Sequence, residues 1–343
     1  MSQPAKTETY YAMALDPIHV GTGGYRLGRV DNSIVREPGT NIPKVPGTSL
    51  SGACRAYASM VTGRYKRKKN GRIFSCAGQG QEDKQRNKAG HCAEHDCPVC
   101  VAFGFARDRT GFQGLAQFTD MRILFFPVYS LVGPVWVTCP AVLKDAGLSC
   151  KCEPSGNKIK VSEGLKINGN RLSLGWLMLE VEGKFEIQSI LPVLPVPGEI
   201  VQHSVIVPNR LFTTIVNSNL EIRTSVSIDP RTGAAEEGAL FTYEAIPRST
   251  IFWFNISYLD PKFFTIDGIT PEPKINNKPT TVQEVVEKGL AQFQHLGIGG
   301  MNTRGMGRLV IYGLQTQSQK GTSPEEKSKE HEVENPPLEE AKS

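Results

Sequence analysis

The amino-acid sequence predicts an α+β protein built around antiparallel sheet, and three observations lead to this prediction. The 343 residues, 39% of them hydrophobic and 21% charged, are enough to close at least one core. Glycine (34 residues) and proline (23) lie slightly above ordinary usage, which favours strands and loops over a helical bundle. Apolar segments of the second half mostly alternate with a period of two. This composition excludes a peptide hormone, a collagen-like fibre and a wholly disordered chain.

The first third of the chain predicts a strand, a helix and an insertion. Residues 10–20 alternate and predict a strand, after which a long loop rich in glycine and polar residues begins. Residues 45–60 predict a helix, because turn and N-cap residues at 46–49 precede apolar residues at helical spacing. Residues 64–113 are basic, bear cysteines and hold too few apolar residues to form a core alone. They therefore predict an insertion that is held by something other than burial.

The rest of the chain predicts mainly strands and one further helix. That helix covers residues 282–296, whose apolar residues share one stripe. Residues 315–343 are acidic with almost nothing apolar to bury, so they predict a disordered tail. Strands and helices interleave loosely, which favours α+β over a doubly wound fold. The predicted strands lie at residues 121–127, 177–187, 205–216, 220–228, 240–246, 251–259 and 309–314.

Hydrophobic patterning and net charge indicate the expected location and partners of the protein. No window of 18 uncharged apolar residues occurs and the first residues lack a basic and apolar leader, so we expect a soluble cytoplasmic protein without a membrane partner. The formal charge is +5, and residues 320–343 carry seven Glu against four Lys, a net of −3 that leaves +8 for residues 1–319. A basic body suits a polyanionic partner such as nucleic acid, although a merely soluble surface has the same charge.

The first candidate site is the glycine loop of residues 19–37. It is not a P-loop, because the Lys-Ser/Thr of that motif is missing. Asp31 either forms an ion pair that organises the loop or lies beside a scissile phosphate, where it holds a hydrated Mg²⁺ or aligns a nucleophile. His19 is either a strand-end histidine or an acid or base. The residues that would bring main chain and positive charge to an anion are Gly21, Gly23, Gly24, Arg26, Arg29 and Arg36.

The second candidate is the start of the predicted helix, residues 44–55. A helix N-terminus offers free N–H groups and the positive end of the helix dipole, and both attract phosphate. Ser49 lies in this first turn, Lys44 precedes it, and Arg55 would add a charge one turn further on. An ordinary capped helix without a ligand is the alternative interpretation.

Two further segments suit a sugar-phosphate chain. Residues 64–72 contain six basic residues in nine, which predicts either a solvated loop or a grip on a phosphate backbone. Residues 297–308 contain five glycines, more than a plain turn from helix to strand needs. The candidate contacts in that terminal glycine loop are Gly299, Gly300, Asn302, Arg304 and Gly305.

Four cysteines in the insertion predict a structural zinc site. Fifteen, four and two residues separate Cys76, Cys92, Cys97 and Cys100, and the last pair has the tight spacing of two thiolates on one tetrahedral ion. Metal binding would fold a segment that is poor in core residues. His91 and His95 are alternative ligands, with Cys76 the most distant member. The remaining cysteines are interpreted as core or surface thiols: Cys54, Cys139, Cys150 and Cys152.

Taken together, these segments resemble the repeated backbone subunit of type III-B (Cmr) CRISPR effector complexes, within the RAMP superfamily. The resemblance implies an RRM-like, ferredoxin-type antiparallel palm in residues 1–63 and 114–314, with a zinc-stabilised finger inserted at 64–113. It also implies a β-hairpin thumb near residues 220–246 and an acidic disordered tail at 315–343. It covers most of residues 8–314 and rests on the order and wording of segments 19–37, 42–55, 97–104, 120–143, 223–247 and 297–308.

The resemblance further implies a function and a set of partners. Copies would stack along a CRISPR RNA beside other Cmr subunits, with the loops named above contacting the guide. The thumb would displace a nucleotide of the complementary target RNA at six-nucleotide intervals, and Asp31 would be the nuclease residue with Mg²⁺ or Mn²⁺. His19 matches a neighbouring position of the family's catalytic residue, and Tyr243 and Glu244 fall in a segment that the family also uses in cleavage, so the resemblance implies a catalytic role for these three residues as well. Attack by the 2′-OH beside the displaced nucleotide would leave a 2′,3′-cyclic phosphate and a 5′-OH.

Two alternative functions remain open at this point. The chain would be a purely structural guide-RNA-binding subunit if Asp31 only organised its loop. It would be the equivalent backbone subunit of a type III-A complex if the resemblance around residues 126–143 were misleading. The sequence departs from the family at Ser51, where Lys is common. A guide contact at that helix would then depend on Lys44, Arg55 or the basic finger.

Overall fold

A computed structural model describes residues 3–23, 30–69, 71–78, 88–106, 111–148, 153–186, 196–235 and 240–314. The acidic tail and three of the predicted anion contacts, Gly24, Arg26 and Arg29, lie outside these residues, as do Cys150 and Cys152.

Helices and strands alternate irregularly along the chain. The strands are β1 (Ala5–Ala14), β2 (Lys44–Val45), β3 (Arg67–Lys69), β4 (Arg72–Phe74), β5 (Lys88–Ala89), β6 (Phe105–Ala106), β7 (Gly111–Phe112), β8 (Ala116–Phe118), β9 (Met121–Ser130), β10 (Gly133–Thr138), β11 (Ile159–Ser162), β12 (Arg171–Leu174), β13 (Leu177–Phe185), β14 (Ser204–Ile206), β15 (Glu221–Ser225), β16 (Phe241–Ala245), β17 (Ile251–Leu259), β18 (Lys274–Ile275), β19 (Lys278–Pro279) and β20 (Leu309–Tyr312).

The helices are short except for the first. They are α1 (Gly47–Val61), α2 (Pro98–Phe103), α3 (Pro140–Asp145), α4 (Gly198–Gln202), α5 (Asn209–Ser218), α6 (Val282–Leu290) and α7 (Phe293–Leu296), with 3₁₀ turns at Pro261–Phe263 and Asn302–Arg304. Among the described residues, no helix combines the length and the apolar character needed to cross a membrane.

One large mixed sheet organises the fold, so the α+β prediction is confirmed. Its order is β12-β13-β11-β14-β10-β9-β17-β1-β20, with β2 beside β9 and β8 beside β17. Most neighbours are antiparallel, but β10 with β14 and β11 with β13 are parallel. Within this order, the four strands β20-β1-β17-β9 are all antiparallel and are connected in sequence as two interleaved β-α-β units.

Helices α1 and α6 cover one face of these four strands. Tyr10 of β1 bonds Tyr258 of β17 and Glu287 of α6, which shows that its buried ring lies beneath the helices. Gly289 permits close helix packing, because a Cβ there would lie 2.6 Å from the carbonyl oxygen of Cys54 in α1. The central strand β17 is buried along most of its length, since it has neighbours on both edges and helices above.

Three sequence predictions are wrong in detail. Residues 205–216 are not one strand: β14 ends at Ile206 and α5 begins at Asn209, because Phe212, Ile215 and Val216 are buried at helical spacing. The strand predicted at 10–20 begins and ends earlier, as β1. The helix predicted at 282–296 is divided into α6 and α7 at residues 291–292.

Candidate functional site

Both ends of the glycine loop and strand β15 meet strand β16. Ile18 and Ile246 exchange backbone hydrogen bonds at 2.8 and 2.9 Å, which brings the start of the glycine loop to the end of β16. Further along the loop, Asn32 pairs with Tyr243 and its carbonyl oxygen accepts from the Glu244 N–H at 3.1 Å. β16 in turn pairs with β15 as an antiparallel hairpin. The glycine loop therefore lies against the base of that hairpin.

Asp31 is exposed and its carboxylate is held from one side. Its Oδ2 accepts a hydrogen bond from the backbone N–H of Thr242 at 2.7 Å and from the hydroxyl of Thr242 at 2.9 Å. These bonds stabilise the charged form and lower the pKa of Asp31 below its usual value of 3.8. The side chain is therefore an ionised carboxylate that faces solvent in a fixed orientation.

His19 is buried beneath the glycines of two loops. Its Nδ1 lies 2.6 Å from the carbonyl oxygen of Glu244, and its ring makes an edge contact with Tyr243 at 5.8 Å between centroids. A carbonyl oxygen only accepts, so Nδ1 carries the proton in this bond. A Cβ at Gly21 would lie 3.2 Å from Nε2, and one at Gly299 would lie 2.3 Å from the His19 carbonyl oxygen. The two loops can meet here because these positions are glycines.

Tyr243 and Glu244 are part of the packing of the site. Tyr243 is buried with Ala245 and Met306. The Glu244 carboxylate, also buried, accepts from the Arg36 guanidinium at 2.8 Å. Arg36 also donates to the side chain of Asn217 at 2.9 Å. Both charged groups of the pair therefore face the interior, and the partners of the Arg36 guanidinium are residues of the protein itself.

The N-terminus of α1 already has an anionic partner. The Asp120 carboxylate accepts from the Gly47 N–H at 2.8 Å and pairs with Lys44 at 2.5 Å. Pro46 is the N-cap, no side chain caps the helix, and the Ser49 N–H donates to the Pro46 carbonyl oxygen at 2.9 Å. The predicted N-cap chemistry at residues 46–49 is therefore wrong, and a carboxylate from before β9 takes its place.

The terminal glycine loop presents an exposed turn next to His19. The Gly300 N–H donates to the His19 carbonyl oxygen at 2.9 Å, and the Asn302 side chain donates to the Leu296 carbonyl oxygen at 3.0 Å. Arg304 and Gly305 are exposed at the tip of this loop. Gly23, at the other side of the site, is also exposed and has a φ of +73°.

Sequence reasoning missed two residues that organise the site. Thr242 holds Asp31, and Asp120 occupies the start of α1. Each is 73 or more positions from its partner in sequence. The only local signal was the position of Thr242 directly before Tyr243, within a segment that the sequence had already singled out.

The four cysteines of the insertion form one cluster. Their sulfurs all lie within 4.8 Å of one another, and four of the distances between pairs of sulfurs are 3.5 to 3.9 Å. Four thiolates at Zn–S distances of about 2.3 Å on a tetrahedron have sulfurs about 3.8 Å apart. None of the four cysteines forms a disulfide, and three of them are buried, with Cys92 partly exposed. Cys76 belongs to the cluster, which could hold a metal ion such as zinc.

Arg55 and His91 lie immediately outside this cluster. Arg55 donates to the carbonyl oxygen of Cys76 at 2.7 Å, and its Nη2 lies 2.9 Å from His91 Nδ1. Burial lowers the pKa of Arg55, while the four thiols oppose that shift. His91 also hydrogen-bonds the Cys76 thiol. Arg55 is therefore turned toward Cys76 and His91 and joins α1 to the cysteine cluster.

Comparison with known proteins identifies the family of this chain and supports its fold. The model of the RAMP superfamily matches residues 11–310, and the chain belongs to this superfamily. The chain is 26% identical to the CRISPR system Cmr endoribonuclease Cmr4 of Pyrococcus furiosus, over 90% of this chain and 96% of the relative.

Solved structures share the fold at lower sequence identity. A chain of the type III-B Cmr-beta complex bound to cognate target RNA superposes with a TM-score of 0.57 at 15% identity, covering 89% of this chain and 96% of that one. The oligomeric Cmr4 of Pyrococcus furiosus superposes with a TM-score of 0.54 at 21% identity, covering 90% and 98%.

Proposed function

We propose that this chain is the CRISPR-RNA-binding backbone subunit of a type III-B effector complex and that it cleaves complementary target RNA. Membership of the RAMP superfamily, the endoribonuclease relative Cmr4 and the likeness to a Cmr-beta chain solved with target RNA support the proposal. Its partners are then the guide RNA, the target RNA, other Cmr subunits and further copies of itself, as in the oligomeric Cmr4.

In this proposal, residues 1–63 and 114–314 form an RRM-like palm and residues 64–113 form a finger. The interleaved order β20-β1-β17-β9 with α1 and α6 on one face supports the palm. The β15–β16 hairpin is the thumb near residues 220–246. The part of the finger around the small sheet β3-β4-β5 depends on zinc held by the cysteine cluster, because none of the described side chains of that sheet is buried, whereas α2 packs into the main core.

The observation that carries the nuclease assignment is the position of Asp31. Its ionised carboxylate faces solvent at the base of the β15–β16 hairpin and is fixed there by Thr242. If the hairpin displaces a target nucleotide, the linkage beside that nucleotide comes next to Asp31. A splayed nucleotide can rotate its ribose, so the 2′-OH can align behind the adjacent phosphorus.

The reaction needs little covalent chemistry from the protein. The 2′ oxygen forms a bond to phosphorus, the bond from phosphorus to the 5′ oxygen breaks, and the 2′ proton passes through solvent to the leaving oxygen. The products are a 2′,3′-cyclic phosphate and a 5′-OH. Asp31 is a weak base because its pKa is low, so it does not serve mainly as a proton acceptor. Its part is to align the reacting groups and, together with a divalent cation, to offset negative charge at the phosphate. Thr242 is a positioning residue for it.

A divalent ion, Mg²⁺ or Mn²⁺, fits this site with Asp31 as the protein ligand. Among the residues that the structure describes, the cysteines are the only group of three or more metal-ligating side chains close together, and Glu244 is engaged by Arg36. Mg²⁺ commonly keeps several waters and binds one or two carboxylates together with substrate phosphates. When bound, the ion would neutralise charge on the phosphate that is attacked.

The other predicted site residues act mainly as support in this proposal. His19 and Tyr243 fix the two glycine loops against β16, and Arg36 neutralises the buried Glu244. The guide RNA runs along the exposed parts of the loops. Those parts include Gly23, Arg304 and Gly305.

The experiment is Asp31→Asn in a complex reconstituted with guide and target RNA. We expect the regularly spaced target cuts to disappear while target binding stays intact. Asp267→Asn is the matched control: Asp267 is an exposed aspartate in a tight turn with a φ of +51°, a conformation that asparagine tolerates. If the Asp31→Asn complex still makes the same cuts, the chain is a structural guide-RNA-binding subunit and the nuclease proposal is wrong. Assembly only with type III-A partners would place the chain in that complex instead.

A further inference from the structure

The segment that leads into and forms the β3–β4 hairpin carries two exposed lysines without an ion-pair partner in the described part of the chain. Arg64 and Arg67 share Glu94, with N···O distances of 3.4 and 2.8 Å. Lys66 and Lys68 are exposed, and neither forms an ion pair with any residue that the structure describes. Elsewhere the protein places carboxylates beside exposed lysines, as with Glu180 and Lys158 at 2.8 Å.

The register of the hairpin gives Lys68 no charged partner across the strands. The residue directly opposite Lys68 is Ile73. Opposite charges at directly paired positions stabilise a hairpin, and Lys68 lacks such a pair. Its charge is therefore available to a polyanion bound along the hairpin.

The hairpin is nevertheless held firmly at its base. Cys76 lies two residues after the end of β4, and its N–H donates to the Arg64 carbonyl oxygen at 3.1 Å. β5, which precedes Cys92, pairs parallel with β4. Arg55 of α1 binds the Cys76 carbonyl oxygen, so the finger is connected to the helix that covers the main sheet. The basic strands are thus displayed in a defined place relative to the glycine loops.

Two large apolar side chains at the hairpin are also exposed to solvent. The side chain of Ile73 lies opposite Lys68 in the register and is 42% exposed, and Tyr65 is 40% exposed just before β3. Lysines that track phosphates, together with an aromatic ring on which a base can stack, are the usual means of holding single-stranded nucleic acid without reading its sequence.

We infer that the β3–β4 hairpin is a second RNA contact, which grips the sugar-phosphate strand of single-stranded RNA outside the Asp31 site. The inference rests on the proposed function, since that function supplies RNA as the polyanion. Lys66 and Lys68 contact phosphates and Tyr65 stacks on a base. The contact is independent of sequence, because base pairing with the guide already selects the target.

The test compares two full-length double variants with the same change of net charge. Lys66→Glu with Lys68→Glu alters the hairpin, whereas Lys144→Glu with Lys166→Glu alters exposed lysines at the end of α3 and in the loop after β11. Binding of a fluorescent single-stranded RNA of mixed sequence is measured across a salt series. We expect the hairpin variant to bind about tenfold more weakly and its plot of log K against log salt to be shallower by about 1.4. Equal affinities and slopes in the two variants would overturn the inference.

Two further measurements identify the occupant and separate this inference from the proposed function. In the reconstituted complex, the hairpin variant keeps the spacing of the target cuts at saturating RNA, whereas Asp31→Asn keeps RNA affinity and loses the cuts. The hairpin substitutions are repeated in a full-length chain whose seven glutamates between residues 320 and 343 are replaced by glutamine. If the loss of affinity vanishes there, the hairpin binds the acidic tail and the RNA contact is refuted; a persistent loss supports it.

Discussion

Asp31 and Thr242 bind each other through three hydrogen bonds although 211 positions separate them in sequence. The Asp31 carboxylate accepts from the N–H and the hydroxyl of Thr242, and the Asp31 N–H donates to that hydroxyl oxygen at 3.2 Å. This pair joins the glycine loop to the β15–β16 hairpin. Movement of the hairpin would therefore move the carboxylate on which the proposed cleavage depends.

Thr242→Val removes both hydrogen bonds of the hydroxyl with Asp31 and keeps the shape of the side chain and the backbone N–H. We expect single-turnover cleavage at saturating target RNA to fall roughly 10-fold, because a misplaced group in an aligned reaction loses rate steeply. RNA affinity should be unchanged. Thr242→Ser keeps the hydroxyl and should cleave like the parent. Equal rates for the valine and serine variants would show that the hydroxyl does not orient Asp31.

The pKa of Asp31 provides an independent measure of the same contact. Hydrogen bonds from the Thr242 backbone and side chain lower this pKa below 3.8. The depressed value means that the bond's contribution to stability is present above the ordinary pKa and is lost as pH falls through the lowered one. In Thr242→Val, the carboxyl titration followed by NMR should move to higher pH. A titration at an ordinary aspartate value in the parent protein would contradict the geometry.

Arg36 should behave as a structural residue when it is replaced. Its guanidinium pairs with Glu244, and the two side chains are 19% and 11% exposed. Arg36→Met leaves a buried carboxylate without its partner and should lower the free energy of unfolding by about 2–4 kcal/mol in urea titrations. Lys6→Met breaks the surface pair with Glu8, whose side chains are 65% and 30% exposed, and should cost less than about 1 kcal/mol. Equal costs for the two variants would mean that Arg36 has no such role.

Gly299 and Gly305 form a matched pair for the terminal glycine loop. Both have positive φ, +82° and +74°, but a Cβ at Gly299 would lie 2.3 Å from the His19 carbonyl oxygen, whereas one at Gly305 meets nothing within 4 Å. Gly305→Ala should therefore cost only backbone strain of about 1 kcal/mol, and Gly299→Ala at least about 2 kcal/mol. Thermal unfolding distinguishes them. Similar melting temperatures would show that the two loops do not meet at His19.

The cysteine cluster should bind about one zinc ion per chain. Elemental analysis of the purified protein measures this, and Cys97→Ser with Cys100→Ser should remove the metal and lower the melting temperature. Cys139→Ser is the control, because Cys139 lies outside the cluster and burial raises the pKa of its thiol to about 11. Folded parent protein without metal would refute the zinc assignment.

Local features of the fold could be predicted well from the sequence. The strand predicted at 251–259 matches β17, and the helix predicted at 45–60 differs from α1 by a few residues. These segments bury one face or both, so their apolar spacing records their structure directly. The prediction for residues 205–216 was wrong because a run of apolar residues is compatible with a strand and with a helix. Burial of Phe212, Ile215 and Val216 at helical spacing favours the helix α5.

The sequence by itself determined which residue types could meet: four cysteines at metal-ligand spacing, glycine loops that permit close approach, and one aspartate among arginines. Only the tertiary structure decided their orientation. It turns Arg36 toward Glu244 and Arg55 toward the cysteine cluster. It also places Asp120 at the start of α1 and leaves Asp31 facing solvent beside Thr242. The reason is physical: local periodicity reports burial along one element, whereas the partner of a charge depends on which distant strands close the sheet.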